Sequence, residues 1–196
     1  MRGTISSAGF AEGHRFVIGC WPTSPIGPFG DVMWIRPDGK RWLIVPHSTA
    51  ADFVSAIYRF DEIVVTNLDV ASDGRTTRAT TPSLHIELAG GRARRIPARR
   101  PLSFTRYIER PIAQLLMGVD TYGTSPLGIR EWYQASAWRW VVTGTAALDG
   151  RPLGAPLPFD RGANVGFSDP PERPSIVSVR VTIRPSSKQQ ARSADR

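Results

Sequence analysis

The apolar residues of this chain fall in short runs, many alternating with polar residues, and proline- and glycine-rich turns separate the runs. This pattern is typical of a mainly β protein. The clearest example is residues 31–45, in which two aromatic and β-branched runs flank a Pro-Asp-Gly turn. Gly39 can take the left-handed conformation that closes a three-residue hairpin loop, and that register pairs Trp34 with Trp42. A two-residue turn is the alternative, and it would pair Trp34 with Leu43.

Both faces of the predicted hairpin carry large apolar side chains. Val32 and Trp34 share one face, and Met33 and Ile35 share the other. An antiparallel strand with one face in water would alternate apolar and polar residues instead. The hairpin therefore needs cover on both sides, and we expect it to be central in the sheet or to line a closed space.

A second long run, residues 131–148, carries Trp132, Trp138 and Trp140 at positions of one parity. The alternation predicts the longest strand of the chain, with a bend near Gly144. Both this run and the hairpin are rich in tryptophan, and both follow a Thr-Ser-Pro turn. We expect the two to be neighbours.

Two segments show the start signals and apolar spacing of helices. Thr49 can cap a helix over residues 49–60, with Asp52 three residues later as its capping-box partner. The apolar residues of this segment fall on one stripe, so the helix should lie on a sheet. Pro111 suits the first position of a second, shorter helix over residues 111–117.

Two more segments carry strand signals. Residues 175–184 alternate cleanly between apolar and polar side chains and predict the final strand. Gly90 and Gly91 can form the tight turn of another hairpin. A two-residue turn there would put Glu87 opposite Arg94.

Together these elements predict a mainly β fold, namely an antiparallel β-barrel-like domain of about eight to ten strands with two short helices. A two-sheet β-sandwich is the alternative. We expect a single domain over residues 14–184. The small and polar residues 1–13 predict a flexible lead-in, and residues 185–196 predict a disordered basic tail.

The net charge of +8 raises the question of an anionic partner. All but two of the 25 basic residues are arginine, a skew that a GC-rich coding sequence produces without selection for binding. Nucleic acid is therefore an alternative partner and not the favoured one. The candidate anion-binding residues, besides the basic tail, are Arg92, Arg94, Arg95, Arg99 and Arg100.

The lone cysteine, Cys20, cannot form an internal disulfide, which predicts a reducing compartment. No apolar run reaches the length of about 18 residues that a transmembrane helix needs. Residues 1–13 also lack the apolar core of a secretory signal. These features predict a cytoplasmic protein with no membrane partner.

Known chemical motifs are missing from the sequence. It has no glycine-rich phosphate loop, zinc-protease helix, nucleophile elbow or calcium loop. His14, His47 and His85 are far apart and lack the spacing of metal ligands. The sequence thus predicts no metal and no cofactor, and it leaves any catalytic residues unknown.

Five of the six tryptophans lie in the hairpin or in the long strand, where a barrel would turn them inward. We therefore predict a small-molecule-binding barrel with a tryptophan-lined pocket for a partly apolar ligand. One alternative is an enzyme, a lyase or hydrolase with a carboxylate and a histidine as acid and base in the same pocket; the other is an anionic-polymer binder. The candidate ligand-binding residues are Asp31, Trp34, Trp42, His47, His85, Arg130, Glu131, Trp138 and Trp140.

Overall fold

The structure is a computed structural model, and it describes residues 1–96, 101, 121–124, 129–159 and 169–185. The predicted helix over residues 111–117, the arginines Arg99 and Arg100, and residues 186–196 of the predicted tail lie outside the described residues. One α-helix is described, α1 (Ser48–Ser55). The strands are β1 (Arg2–Gly9), β2 (Arg15–Thr23), β3 (Phe29–Ile35), β4 (Arg41–Val45), β5 (Glu62–Val65), β6 (Asp69–Ser72), β7 (Thr76–Thr80), β8 (Leu84–Gly90), β9 (Arg94–Arg95), β10 (Tyr122–Thr124), β11 (Ile129–Leu148), β12 (Arg151–Pro152) and β13 (Ser175–Pro185).

The strands form one sheet in the order β5-β4-β3-β2-β1-β13-β11-β8-β7-β6, and β9, β10 and β12 pair with β11. Among the described strands, neighbours are antiparallel except β4 and β5, which are parallel. Parallel neighbours need a crossover, and α1 is the crossover between these two strands.

The sheet curls until β6, at one end of the strand order, packs against β2 and β3. Gly30 permits this approach, since a Cβ atom there would lie 2.5 Å from the Cβ of Val70. Inside the curl, the buried hydroxyls of Ser6 and Thr77 are 2.7 Å apart, which joins β1 to β7. The predicted mainly β, barrel-like fold is confirmed.

The inside of the curl is filled with side chains from both halves of the sheet. The rings of Phe16 and Trp34 stack with centroids 5.7 Å apart, and Trp42 meets Trp34 edge-on at 5.5 Å. Aromatic side chains contribute most of the burial energy of a core of this kind. The buried members of this inner core include Ala8, Phe16, Ile18, Val32, Trp34, Ile44, Leu84, Ile86, Leu88 and Ile176.

A second apolar cluster covers the opposite face of β3 and β4, beneath α1. Its buried members are Trp21, Phe29, Leu43, Val45, Ala50, Ala51, Val54, Ile57, Tyr58, Val179 and Val181. The hairpin thus has cover on both faces, as its doubly apolar sequence predicts.

The predicted register of the hairpin is confirmed. Trp34 pairs with Trp42, and Gly39 has a φ of +82° in the three-residue loop. The prediction that this hairpin and the long strand β11 are neighbours is wrong, because β2, β1 and β13 lie between β3 and β11 in the sheet. Tryptophan content does not determine adjacency, since β1 and β13 insert between the two elements through backbone hydrogen bonds.

The prediction of a flexible lead-in over residues 1–13 is wrong for most of that segment. Residues 2–9 form β1, which pairs with β2 on one side and β13 on the other. Ser6, Ser7 and Ala8 are at most 1% exposed. Small residues predict disorder only where no partner covers them, and here they let β1 lie closely packed in the middle of the sheet.

The prediction of a hairpin about Gly90 and Gly91 is also wrong. β8 pairs with β7 and β11, so neither of its edges is available to the residues that follow it. Glu87 pairs with Arg78, whose Nη2 lies 3.1 Å from Oε2 of Glu87. Arg94 lies in β9 on β11 instead.

Helix α1 is shorter than predicted, and its N-cap is His47 instead of Thr49. Nδ1 of His47 accepts a hydrogen bond of 3.1 Å from the Ala50 N–H, so the capping residue lies two residues earlier than predicted. The helix ends at Ser55, and the N–H of Tyr58 donates to the carbonyl of Val54 just beyond it.

The long strand and the last strand are confirmed as β11, of 20 residues, and β13. The irregularities of β11 fall between Ala135 and Ala137 and between Val141 and Thr143, not at Gly144. The first lies within the pairing with β13, which continues to Trp140, and the second lies where the pairing with β8 begins at Val141, so a bulge accompanies the change of partner there. No helix among the described residues is long and apolar enough to cross a membrane.

Candidate functional site

Two buried polar side chains and one half-buried tyrosine meet at the edge of the α1-facing cluster. Glu131 and Tyr133 are two residues apart on β11, so their side chains share one face of the sheet. Tyr58 follows the end of α1 and reaches the same point. We call Glu131, Tyr58 and Tyr133 the acid–tyrosine cluster.

The three groups are in mutual contact. The hydroxyls of Tyr58 and Tyr133 lie 2.5 and 3.0 Å from Oε2 of Glu131, and the two hydroxyl oxygens are 2.5 Å apart. Two phenols hold two protons, whereas three O···O contacts of this length need three. When Glu131 is ionised, both phenols donate to Oε2, and the contact between the two hydroxyls holds no proton. A proton on Glu131 supplies the third: Oε2 then donates to one phenol, that phenol donates to the other, and the other donates to Oε2.

Burial raises the pKa of Glu131 to about 7, although the hydrogen bonds from Tyr58 and Tyr133 lower it. Burial also raises the pKa values of both tyrosines well above their ordinary value, so both phenols keep their protons. A carboxyl with this pKa is about half-protonated at pH 7 and mostly neutral at pH 6, which agrees with the three-proton ring below neutral pH.

The second carboxyl oxygen of Glu131, Oε1, lies outside this hydrogen-bonded ring. The Glu131 side chain is 0% exposed, yet no group among the described residues hydrogen-bonds to its Oε1. A buried polar atom without a partner costs about 1–3 kcal/mol, and such atoms are rare in native proteins. Oε1 is therefore the chemically unusual atom of this cluster.

A second carboxyl, Asp31 of β3, is buried on the same face of the sheet. Nε1 of Trp21 donates a hydrogen bond of 2.7 Å to Oδ1 of Asp31. Burial raises the pKa of Asp31 to about 6, against the hydrogen bond from Trp21, which lowers it. Burial is the largest cause of the raised pKa of Tyr133. The negative charges of Glu131 and Asp31 raise it further, so both carboxyls influence the pKa of the same phenol.

Trp34 and Trp42, predicted to line a pocket, lie on the other face of the sheet. Nε1 of Trp34 donates a 3.1 Å hydrogen bond to Nδ1 of the buried His14. The guanidinium of Arg36 lies over both indoles, 5.1 Å from the ring of Trp34 and 4.4 Å from the ring of Trp42. Nε1 of Trp42 is buried and has no hydrogen-bond partner among the described residues.

The predicted polar site residues are spread over the fold. His47 caps α1 and His85 is exposed on β8, where its Nδ1 lies 3.2 Å from Oγ1 of Thr80. Arg130 is half-buried on β11, next to Glu131. Of the predicted site residues, the structure thus brings Asp31 and Glu131 to one face and leaves both histidines elsewhere.

Trp138 and Trp140 are half-buried on β11. The guanidinium of Arg94 lies 5.9 Å from the ring of Trp138, and that of Arg173 lies 5.1 Å from the ring of Trp140. Next to them, a surface groove of about 330 Å³ runs between β11 and residues 155–158. The described members of the arginine group, Arg92, Arg94 and Arg95, are all exposed.

Sequence reasoning missed Tyr58, Tyr133, Trp21 and His14. Tyr133 had a signal, because it lies at the same parity as Glu131 in a run predicted to be a strand. The contact of Tyr58 with Glu131 spans 73 residues and had none. Among the described residues, no group of three or more His, Cys, Asp or Glu side chains could hold a metal ion.

No protein-family model matches the chain. No curated protein matches it either. Among solved structures, the crystal structure of acetoacetate decarboxylase from Legionella pneumophila is similar over 94% of this chain and 83% of that chain, with 9% sequence identity and a TM-score of 0.44. A likeness at this level assigns no activity to the chain, and the functional proposal rests on the site alone.

Proposed function

We propose that the chain binds a small, partly apolar ligand at the acid–tyrosine cluster, with Glu131 as its polar anchor. The observation that carries the proposal is the buried, unpartnered Oε1 of Glu131. A ligand that donates a hydrogen bond to this atom would remove the cost of leaving it unpaired. Ligand sites typically combine an apolar lining with a few well-positioned polar groups.

The surroundings of the cluster support the partly apolar character of the ligand. Tyr58, Trp21 and Phe29 are buried members of the apolar cluster beneath α1, and the partly buried Tyr133 and Phe53 pack against it. Asp31 and Glu131 are the predicted ligand-binding residues on this face. The tryptophan-lined pocket on the other face stays a prediction.

A fragment screen tests the proposal. Small apolar fragments that carry one polar group would be screened by ligand-observed NMR against the wild type, Glu131→Leu and Glu62→Leu. Leucine has no acceptor, and Glu62 is exposed on the edge strand β5, so Glu62→Leu makes the same chemical change away from the site. Fragments that bind the wild type and the control should bind Glu131→Leu roughly 10- to 100-fold more weakly, as expected when the ligand's donor loses its buried acceptor. Equal affinity for all three proteins would disprove the site.

An acid–base enzyme is a second candidate, and the pair of buried carboxyls favours it. The raised pKa values of about 6 for Asp31 and about 7 for Glu131 leave one carboxyl mostly ionised and the other partly protonated near pH 7. In acid–base sites, two carboxyls typically have different pKa values, so that one can act as the base and the other as the acid. A panel of lyase and hydrolase substrates would test it. Any activity found should have a bell-shaped pH profile with a limb that Glu131→Gln removes, and a profile unchanged by Glu131→Gln would reject the assignment.

An anionic-polymer binder is the remaining candidate, and the three exposed arginines around β9 favour it. Binding through them depends on counterion release, so retention on heparin should fall steeply with salt. Replacing Arg92, Arg94 and Arg95 with glutamine should abolish the retention. Retention that is insensitive to salt or to these substitutions would exclude this mode.

A further inference from the structure

The charge balance around the acid–tyrosine cluster indicates what kind of ligand Glu131 would take. Asp31 and Glu131 are both buried on the α1-facing side, and among the described residues no basic side chain forms an ion pair with either. The groups that shift the pKa of these carboxyls are their own burial and neutral donors, namely Trp21 for Asp31 and the two tyrosines for Glu131. Buried carboxylates are normally paired with a cation or are protonated.

The proton ring is how the cluster meets this requirement without a cation. With three protons shared among Oε2 of Glu131 and the two phenols, the cluster carries no charge. Oε1 of Glu131 is then an unprotonated acceptor that is fully buried and, among the described residues, unpartnered. This atom identifies where a donor group would bind.

We propose that the ligand is a small apolar amine bound as its ammonium ion, which donates an N–H to Oε1 of Glu131 and displaces the third proton of the ring. This inference rests on the proposed function and specifies the ligand of the same site. The proton balance is simple: the ammonium ion enters with its charge, neutral Glu131 becomes a carboxylate, and one proton leaves for solvent. No covalent bond between heavy atoms changes.

The aromatic side chains on this face of the sheet suit a cation. Tyr58 and Tyr133 contact Glu131 directly. The apolar cluster that Tyr58 belongs to and Tyr133 packs against also includes Phe29, whose ring meets that of Phe53 edge to face at 6.0 Å. A desolvated ammonium ion is attracted to aromatic faces as well as to a carboxylate. An anionic ligand would meet two carboxyls instead, and a neutral donor would leave the third proton of the ring where it is.

Matched amine and alcohol probes distinguish these ligands. Benzylamine, cyclohexylamine and butylamine have nearly the same shape as benzyl alcohol, cyclohexanol and butanol, and only the amines are cations. Titration calorimetry at pH 6 in two buffers of different ionisation heat gives both the affinity and the number of protons released. We expect at least one amine to bind about tenfold or more tightly than its alcohol, since the hydrogen bond to Glu131 becomes charge-assisted. That amine should release close to one proton at pH 6 and far less at pH 8.

The pH dependence of binding to the wild type tests the inference even if a variant fails to fold. Because one proton leaves per ligand, amine affinity should rise about tenfold from pH 5 to pH 6, while alcohol affinity stays flat. Glu131→Gln should remove the amine preference, and Glu62→Gln should retain it.

The outcomes separate this inference from the proposed function. Amine and alcohol binding with equal affinity, both lost in Glu131→Leu, would overturn the cation and leave the ligand site standing. No binding of any amine to the wild type would also overturn the cation, and an empty fragment screen would remove the site itself.

Discussion

The hydroxyl of Tyr58 lies 2.5 Å from the hydroxyl of Tyr133, although 75 residues separate the two along the chain. Tyr58 follows α1, whereas Tyr133 lies on β11, far from β4 and β5 in the sheet order. Their shared contact with Glu131 therefore joins the end of the helix to a distant strand. Because Tyr58 and Glu131 are buried and Tyr133 is half-buried, we expect the same three groups to affect stability, pH dependence and ligand binding together.

Ionisation of Glu131 should make the stability of the protein depend on pH. Its pKa is raised from 4.5 to about 7 in the folded protein, so between these values the unfolded chain loses its proton while the folded chain keeps it. The stability linked to Glu131 is thus fully present below pH 4.5 and is lost as the pH rises to about 7. Relative to the wild type, Glu131→Gln should gain on the order of 3 kcal/mol between pH 4.5 and pH 8.

Urea unfolding of both proteins at pH 4.5, 6, 7 and 8 measures this difference. Taking the difference between the two proteins cancels the contribution of other titrating groups, and Glu62→Gln controls for the loss of a carboxylate as such. A difference between Glu131→Gln and wild type that stays constant over the range would show that Glu131 titrates normally.

Removing the hydroxyl of Tyr58 should raise the pKa of Glu131 further. Tyr58→Phe deletes a hydrogen bond that lowers this pKa while the ring that buries the carboxyl stays in place. It should also cost about 1–3 kcal/mol, because Tyr133 and Glu131 each lose a buried partner. Carbon-detected NMR titration of the Glu131 carboxyl gives the pKa directly. A carboxyl that titrates at lower pH in Tyr58→Phe would contradict the assigned contact.

Much of the sheet could be predicted because its signals are local. The Trp34–Trp42 register follows from the loop between the two strands, and the alternation within β11 and β13 predicts strands from a few residues each. The position of β1 could not be predicted in this way. It is held by pairing with β13, with Ser7 and Ser175 in contact across 168 residues.

In the candidate site, too, the local features could be predicted from the sequence and the long-range contacts could not. Glu131 and Asp31 were recognisable as carboxyls at the ends of predicted strands, and the parity of Tyr133 was visible. Nothing in the neighbourhood of Tyr58 indicates that its hydroxyl meets Glu131, because that contact depends on where the sheet brings β11 relative to α1. The tryptophans show a comparable limit: aromatic content predicts the burial of Trp34, but it does not predict whether the buried space is filled.

The contribution of His14 to the free energy of unfolding should depend on pH in the opposite direction to that of Glu131. Burial lowers its pKa below 6.5, and the charge of Arg36 adds to this against the charge of Glu12. Its Nδ1 accepts a hydrogen bond from Trp34, which protonation of that nitrogen would remove. The stability linked to His14 is therefore present above pH 6.5 and is lost as the pH falls.

Two variants distinguish the effect of the His14 hydrogen bond on stability from the effect of its protonation. His14→Asn keeps an acceptor for Nε1 of Trp34 and removes the titration, so its stability relative to wild type should improve as the pH falls from 7.5 to 5. His14→Leu leaves the indole N–H without an acceptor and should cost about 1–3 kcal/mol at pH 7.5. Urea unfolding measures both, and a wild type that matches His14→Asn at every pH would refute the linkage.

Gly19 should be intolerant of even one added methyl group. A Cβ atom at this position would lie 2.3 Å from Oδ1 of Asp31 and 2.4 Å from Nε1 of Trp21, the two atoms of one buried hydrogen bond. Relieving the clash requires that these atoms separate, so Gly19→Ala combines overpacking with the loss of that bond. We expect it to lower the free energy of unfolding by about 2–5 kcal/mol.

A double-mutant cycle with Trp21→Phe tests the cause of this loss. Phenylalanine lacks Nε1, so it removes both the donor to Asp31 and one of the two colliding atoms. Trp21→Phe alone should raise the pKa of Asp31 above about 6, because the hydrogen bond from Trp21 is what lowers it. In the Trp21→Phe background, Gly19→Ala should then cost at least about 1 kcal/mol less than in the wild type, since residues that share one contact are not additive. Strictly additive costs, measured by urea unfolding of the four proteins, would show that Gly19 is constrained by something other than the Trp21–Asp31 bond.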